Sequence, residues 1–226
     1  MKKNLIISGG IFHPFEDTSN SLSKILSDLN YQSDIVIDIE KGLENIDDYD
    51  LITLNALRWR MLNDEKYIPY IDEWQFSLSK EGQKSLENYI RNGGALIAFH
   101  TSSICFDDWE NYSKVIGGKW VWDKTFHPPY GPVEILPIPD HQLTKGLESF
   151  LLNDEIYHNL ELEPSSKAFL KGITNETNEE HVIAWTYEYE KGKVVYNALG
   201  HDSQSIENEK FVEIIKRSTL WVEERN

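Results

Sequence analysis

The chain lacks three features, and each absence excludes a class of protein. Its single cysteine, Cys105, cannot form an internal disulfide, which is the usage expected of a protein in the cytosol. The apolar runs are short and interrupted by charge, so none of them predicts a membrane span. The basic residues near the start precede too short an apolar run for a signal peptide. We therefore expect a cytoplasmic protein.

Positive charge is also scarce. The 22 basic and 38 acidic side chains give a formal net charge of -16, and the basic residues are scattered along the chain. Such a surface repels nucleic acid and anionic membranes. The charge therefore favours a neutral or cationic small molecule, or another protein, as the partner, and it leaves a homo-oligomer open. At 226 residues the chain fits one α/β domain over positions 1–226.

What the chain does contain is an alternation of apolar strands and helices. The first half predicts strands at 5–8, 34–38, 49–55 and 95–99 and helices at 17–29 and 79–91. The second half predicts short strands at 133–136, 155–160, 182–185 and 194–198 and a final helix at 208–222. This order indicates a doubly wound, mostly parallel sheet with helices on both faces and an antiparallel extension. The long, aromatic-rich segment 56–75 predicts a lid or a structured insert.

Histidines stand where predicted strands reach the mouth of the sheet. The strand at 95–99 runs directly into His100, and the strand at 194–198 is followed closely by His201. Ligands bind beyond the carboxyl ends of parallel strands, and a histidine there can serve as a base, a hydrogen-bonding arm or a metal ligand. The alternative is structural, because histidine tolerates the left-handed conformation of a tight turn and His100 could simply cap its strand.

Several short motifs follow one another over about residues 90–222. They are Gly-Gly-Ala-Leu-Ile-Ala-Phe-His at 93–100, Ile-Gly-Gly at 116–118 with His127-Pro128 downstream, Asp-His-Gln-Leu-Thr-Lys-Gly-Leu at 140–147, Asp-Glu-Ile-Tyr at 154–157, Ala184-Trp185, and Lys-Gly-Lys-Val-Val-Tyr-Asn-Ala-Leu-Gly-His-Asp at 191–202. Together they resemble the ThuA-like family, named for trehalose utilisation, within the class I glutamine amidotransferase-like fold. The resemblance implies a flavodoxin-like sheet and a link to disaccharide or ketosugar catabolism.

The same resemblance argues against glutamine hydrolysis. Amidotransferase relatives place a cysteine nucleophile on a sharp turn after the strand that corresponds to 95–99. Here that turn carries His100, and Cys105 follows several residues too late. A thiolate must stand at the exposed apex of the turn to attack and to have its oxyanion stabilised. We therefore expect no glutamine amidotransferase activity.

The resemblance also favours Glu155 as an active-site carboxylate. On a strand at 155–160, the adjacent Asp154 and Glu155 would point to opposite faces. This leaves Asp154 as a structural residue and places Tyr157 on the same face as Glu155. His158 would then point away from Glu155, toward the surface. The alternative for Glu155 is a solvated charge at the edge of the sheet.

Four further residues are expected to bind substrate around this site, namely His13, His127, Tyr157 and Asp202. His13 follows the turn at Gly9-Gly10 and could equally lie on the surface, while His127 begins a turn-rich loop that it could merely cap. His141 and His181 have no such placement and are predicted to be at the surface. Aromatic loop residues could stack on sugar rings, although such residues more often serve packing.

A metal ion is the remaining question about the site. Two or three histidines with a carboxylate would suit zinc or another divalent ion. No HxxH or HExxH spacing is present, so such a site would have to be assembled from distant segments. The sequence therefore assigns no metal ligand, and it implies no organic cofactor.

Two functions follow from these observations. The leading hypothesis is an enzyme, a hydrolase or isomerase, that acts on a sugar or 3-keto-sugar, with His100 or His201 as general acid/base and Glu155 as its partner. The alternative is a non-catalytic sugar-binding or regulatory protein on the same fold. Replacing His100 or His201 should abolish turnover in an enzyme but change only affinity in a binder.

Overall fold

The first half of the chain alternates strands and helices as the apolar pattern predicts. The structure is a computed structural model that describes residues 1–174 and 178–224. The elements of this half are β1 (Lys2–Gly10), α1 (Phe15–Ser27), β2 (Tyr31–Val36), α2 (Ile39–Leu43), β3 (Leu51–Leu57), α3 (Ile71–Trp74), α4 (Lys80–Arg91) and β4 (Ala95–Phe99). Short 3₁₀ turns span Ile46–Asp48, Glu65–Tyr70 and His100–Ile104.

The second half is richer in strands. Its elements are α5 (Tyr112–Ile116), β5 (Gly118–Lys119), β6 (Gly131–Pro137), β7 (Phe150–Asp154), β8 (Glu161–Leu162), β9 (Lys167–Thr174), β10 (Glu180–Tyr189), β11 (Gly192–Asn197), α6 (Ser203–Ile206) and α7 (Glu209–Glu223). A further 3₁₀ turn spans Gln142–Thr144. Along the part of the chain that the structure describes, no helix is long and apolar enough to cross a membrane.

A nine-stranded sheet organises these elements in the order β2-β1-β3-β4-β11-β10-β9-β6-β7. The five strands from β2 to β11 pair in parallel, and the four strand pairs from β11 to β7 are antiparallel. This confirms the predicted fold, a largely parallel sheet with an antiparallel extension. The small strands β5 and β8 pair with each other outside it.

The core follows from the sequence of the central strands and of the helices that cover them. Every residue of β3 and β4 is buried, as expected where helices cover both faces of a parallel sheet. Leu22, Ile25 and Leu26 form the buried face of α1, at the helical spacing that the sequence shows. Ser79 caps α4 by accepting a hydrogen bond from the backbone of Gly82.

The antiparallel half of the sheet curves back toward the parallel half. β7 is four strand positions away from β11, which would be about 19 Å in a flat sheet. Nevertheless the backbone N–H of Gly200, just after β11, donates a 2.8 Å hydrogen bond to Asp154 at the end of β7. The curvature therefore brings the end of β7, the outermost strand of the antiparallel half, to the mouth of the parallel half.

Several element boundaries differ from the prediction. The strand predicted at 155–160 is wrong, because the strand ends at Asp154 and the segment from 155 to 157 is irregular. Strands β7 and β9 are not predicted at all. Exposed and partly exposed positions interrupt the apolar pattern of β7 and of β9. These two segments form strands because they pair with neighbouring strands, not because their own sequences favour a strand.

The 56–75 segment is anchored rather than loose. Trp59 and Met61 are buried and pack with Phe15 and Leu57 in a small apolar cluster separate from the main core. Tyr67 and Trp74 pack against this cluster from the outside. The segment therefore forms a structured cover next to the ends of β1 and β3.

Candidate active site

Four side chains from distant segments meet beyond the carboxyl ends of the parallel strands. His13 follows β1, His100 follows β4, His201 follows β11, and Glu155 follows β7. Each offers one nitrogen or oxygen atom to a set in which all atoms lie within 4.8 Å of one another. Parallel strands bring the three histidines to one edge of the sheet, and the curvature of the antiparallel half adds the glutamate. We call these four residues the polar cluster.

His100 is fixed in position and in tautomer by its backbone surroundings. It occupies the tight turn after β4 with a left-handed φ of 46°, a conformation that few residues other than glycine adopt. Its Nδ1 donates a 2.6 Å hydrogen bond to the carbonyl oxygen of Ala198. A carbonyl can only accept, so Nδ1 carries a proton, and in the neutral ring Nε2 turns a lone pair toward the cluster.

His13 reaches the cluster from the loop after β1. Its Nε2 lies 3.1 Å from Nε2 of His100, and its Nδ1 lies 3.4 Å from the carbonyl oxygen of Ile11. Burial, and after it the nearby His100 and His201, lower the pKa of His13 to about 3. His13 is therefore a neutral imidazole near physiological pH.

Glu155 is the carboxylate around which the histidines are arranged. Its Oε2 lies 3.5 Å from Nε2 of His100 and 3.3 Å from Nδ1 of His201, and its Oε1 lies 3.5 Å from Nδ1 of His127. Burial alone would raise the pKa of Glu155, but the close approach of His100, His201 and His127 to the carboxylate outweighs burial and holds that pKa well below its usual range. Glu155 is therefore ionised.

The pKa of His201 is shifted in the opposite direction to that of His13. Burial alone would lower its pKa, but pairing with Glu155 outweighs burial and raises it. Its Nδ1 is buried and, although 3.3 Å from Oε2 of Glu155, lacks the alignment of a hydrogen bond to any described residue. The cluster thus combines a neutral histidine, an ionised carboxylate and a histidine that gains a proton readily.

Asp154 supports the cluster from behind without belonging to it. Its fully buried carboxylate accepts a 2.7 Å hydrogen bond from the backbone N–H of Glu155 and a 2.8 Å bond from that of Gly200. The hydroxyl of Ser205 donates a third bond. Because Gly200 precedes His201, one side chain ties together the backbone segments that carry two members of the cluster.

An aromatic-walled pocket opens above the polar cluster. It encloses about 450 Å³, and His13, Glu155 and His201 lie at its polar end. Its aromatic wall is formed by Phe12, Trp59, Tyr67, Tyr70, Trp120 and Trp122. Trp59, Tyr67 and Tyr70 come from the 56–75 segment, which therefore covers one side of the pocket.

Comparisons with known proteins agree with this architecture. The family model described as trehalose utilisation, ThuA, matches residues 5–222. The chain belongs to the ThuA family. A search among proteins with curated descriptions found no match.

Solved structures show that this ThuA-family chain shares its fold with distant relatives. A ThuA-like protein from Parabacteroides merdae has 17% identity and a TM-score of 0.77, covering 98% of this chain and 90% of that one. A ThuA-like protein from Bacteroides uniformis has 19% identity and a TM-score of 0.70, covering 98% and 91%. A glutamine amidotransferase from Thermotoga maritima has 15% identity and a TM-score of 0.57, covering 97% and 96%.

The turn after β4 of the ThuA-family chain carries a histidine where the sequence comparison expects a cysteine nucleophile in amidotransferases. Cys105 lies at the end of the following 3₁₀ turn and is 2% exposed. Burial raises the pKa of its thiol to about 12. A thiol that is inaccessible and protonated cannot serve as a nucleophile.

Two of the residues expected to bind substrate line the pocket of the ThuA-family chain beside the cluster. The buried Tyr157 stacks at a tilt against His100, and its hydroxyl donates a 3.3 Å hydrogen bond to Nε2 of His100. His127 lies at the exposed rim near Glu155. Asp202 is not among the residues that line the pocket; its carboxylate caps α6 and accepts a hydrogen bond from Tyr130.

The three histidines predicted at the surface differ in their exposure. His158 is 1% exposed, because the chain turns inward after β7 instead of continuing as a strand. It stacks on His181 with ring centroids 3.7 Å apart, and His181 is only partly exposed. His141 stacks on Phe169 and contacts the hydroxyl of Thr186. The prediction for His158 is wrong because tertiary packing, rather than sequence position, covers its ring, whereas His141 and His181 are partly exposed.

From the sequence, His13 is expected only to bind substrate, and no residue is expected to bind a metal. Within the described residues, His13 is a full member of the polar cluster, and the cluster is the one group of three or more suitable side chains that could hold a metal ion. No local spacing could signal this, since its members are spread from position 13 to position 201. The supporting role of Asp154 likewise depends on the curvature of the sheet.

Proposed function

We propose that this ThuA-family protein is an enzyme that transfers protons on a sugar or ketosugar bound in the aromatic-walled pocket. The observation that carries the proposal is that Glu155 and His201 line the polar end of that pocket, with His100 in contact with Glu155. Glu155 is held ionised and the pKa of His201 is raised, so a proton acceptor and a proton donor stand side by side. The family description, trehalose utilisation, supports a carbohydrate substrate.

The pocket suits a carbohydrate in shape and in chemistry. Its volume of about 450 Å³ lies within the range of small-molecule sites. Aromatic faces bind the apolar C–H faces of sugar rings, and the wall offers such faces from the 56–75 segment and from Trp120. The polar end then meets the hydroxyl or carbonyl groups of the same ring.

The reaction that these groups support is proton abstraction next to a carbonyl. The ionised Glu155 takes a proton from the carbon beside the carbonyl, while the protonated His201 gives a proton to the carbonyl oxygen. The product of this step is an enediol with no net change in charge. Return of the two protons to exchanged positions isomerises the ketosugar, and the same intermediate allows elimination of a leaving group on the next carbon.

The test measures exchange and binding separately. The protein is incubated in D₂O with a panel of disaccharides and 3-keto-sugars, and NMR follows deuterium uptake next to the carbonyl. Tryptophan fluorescence gives the Kd of each sugar. We expect Glu155→Gln to slow exchange by about 10²–10⁴-fold with a change in Kd of only a few fold. His181→Gln, a histidine outside the pocket, should match the parent protein.

Other outcomes would identify a different function. If Glu155→Gln and His201→Gln change only Kd and no sugar is turned over, the protein is a sugar-binding module and the proposal fails. If no sugar in the panel binds or reacts, the substrate class is wrong.

A further inference from the structure

We infer that His13, His100, His201 and Glu155 form a binding site for one divalent transition-metal ion such as zinc. This inference deepens the proposed function, and it rests on that function for what the ion would do to a substrate. Binding of the ion can be measured without any substrate.

Three distances between donor atoms are close to those of a coordination shell. Zinc lies about 2.0–2.1 Å from histidine nitrogens and carboxylate oxygens, so the atoms of a tetrahedral site are about 3.3 Å from each other. The two Nε2 atoms of His13 and His100 are 3.1 Å apart. Oε2 of Glu155 is 3.5 Å from Nε2 of His100 and 3.3 Å from Nδ1 of His201. The most distant pair in the set is still within 4.8 Å.

The tautomers leave lone pairs pointing at the shared space. Nδ1 of His100 donates to Ala198, and Nδ1 of His13 faces the carbonyl oxygen of Ile11, so each ring turns an unprotonated Nε2 toward the other. Two lone pairs at 3.1 Å repel unless a proton or a cation lies between them. Nδ1 of His201 adds a third buried nitrogen without an aligned partner. A cation satisfies all three nitrogens at once.

The outer surroundings match what metal-bound histidines require. A histidine ligand usually donates its second N–H to a carbonyl or carboxylate, which fixes the ring, and the 2.6 Å bond from His100 to Ala198 does this. Asp154 fixes the backbone on either side of the site through Glu155 and Gly200. The cluster also opens to the pocket, which gives an ion an entry path.

The donor set indicates which ions fit. Three imidazoles and one carboxylate suit zinc, nickel, iron or copper(II), whereas magnesium and calcium prefer all-oxygen sites. By contrast, the stacked His158 and His181 supply only two ring ligands, and Glu179 is 3.8 Å away from His181. That pair serves as an internal comparison within the same chain.

A bound ion would sharpen the proposed chemistry. As a Lewis acid it polarises the carbonyl oxygen of a ketosugar, the task otherwise given to protonated His201. Glu155 can hold the ion through Oε2 while Oε1 faces His127 at the pocket rim. The ion therefore strengthens abstraction of the neighbouring proton without requiring an organic cofactor.

The experiment uses the full chain without a histidine tag, stripped by a chelator and dialysed. Cobalt(II) is titrated in as a spectroscopic probe, and zinc is counted by elemental analysis after dialysis. We expect visible absorption that saturates at one cobalt per chain, one zinc per chain, and a rise in melting temperature of roughly 5–10 °C at a hundredfold excess over Kd.

Variants locate the ion. His13→Ala and Glu155→Gln should each weaken cobalt binding by at least about 100-fold, while His181→Gln should bind cobalt like the parent protein. Circular dichroism checks that each variant folds. Because two ligand positions are changed separately, the second variant still tests the site if the first one does not fold. The inference would be overturned by the absence of saturable absorption or by a zinc content below about one ion per ten chains. It would also be overturned if His181→Gln weakened cobalt binding as much as the ligand variants do.

The same protein separates the two proposals. If cobalt and zinc bind as expected but no sugar exchanges a proton, the proposed function fails and the metal site stands. If the stripped, chelator-treated protein exchanges deuterium into a sugar as fast as the zinc-loaded protein, the proposed function stands and the catalytic use of the ion fails.

Discussion

The carboxylate of Asp154 offers the sharpest test of how the site is held together. Asp154→Asn keeps the size of the side chain but leaves one acceptor oxygen in place of two. The backbone N–H groups of Glu155 and Gly200 bind opposite oxygens, so at least one of them must then face an NH₂ group. A buried hydrogen bond to a charged acceptor contributes about 1.5–3 kcal/mol.

This loss converts into a measurable shift in melting temperature. In a chain of this length, 1 kcal/mol corresponds to about 2–4 °C, so Asp154→Asn should melt about 3–12 °C below the parent protein. Ser205→Ala is the matched control, because it removes one donor and leaves Asp154 ionised and paired with both N–H groups. Its melting temperature should fall by less than that of Asp154→Asn, because Ser205→Ala leaves no N–H donor facing another donor. Differential scanning calorimetry measures both variants under identical conditions.

The result also decides the charge of Asp154. Burial raises the pKa of this carboxyl, and three hydrogen bonds oppose that rise. Because both oxygens already face N–H donors, we expect the ionised form. If Asp154→Asn melts within about 1 °C of the parent protein, the side chain is protonated and the reasoning above is refuted.

Three further predictions concern other parts of the chain. Cys105 should react with a thiol reagent only after unfolding, because the sulfur is buried and its pKa is raised; rapid reaction of the folded protein would contradict this. Tyr67→Ala should weaken sugar binding by up to about tenfold, since the ring lines the pocket and packs edge-on against Trp59 at 5.2 Å; an unchanged Kd in fluorescence titrations would remove the 56–75 segment from substrate binding. Burial, and then the neighbouring His181, lower the pKa of His158, so the unfolded chain takes up the proton first as the pH falls. The free energy of unfolding should therefore decrease below about pH 6.5. Urea titrations at pH 7.5 and pH 5.5 should show a smaller decrease for His158→Gln than for the parent protein; an equal decrease in both proteins would refute this.

The fold could be predicted from the sequence where periodicity is strong. The apolar strands that end at Phe99 and Asn197 and the amphipathic α1 are recognisable because burial on a regular element imposes a regular pattern. The pattern fails at β7 and β9, where polar and glycine residues sit on strands that are stabilised by their neighbours. Local signals cannot indicate a strand that only its partners define.

The site could be predicted in part for a related reason. His100 and His201 follow recognisable strands, so the rule for parallel sheets places them at one edge. Glu155 reaches the same place by a different route, through the curvature of the antiparallel half, which the sequence does not show. The inward turn that buries His158 and the hydrogen bond from Tyr130 to Asp202 likewise arise from contacts between distant segments.

The return of β7 to the end of β11 has a consequence for folding. The polar cluster joins His13 to His100 across 87 positions, and it also needs His201, which follows β11, the last strand along the chain. No early or partly assembled portion of the chain can contain it, and contacts of such long range are slow to form. A ligand of the cluster therefore recognises only the completed sheet, so its full binding energy opposes global unfolding, and its occupancy reports how much of the protein is native.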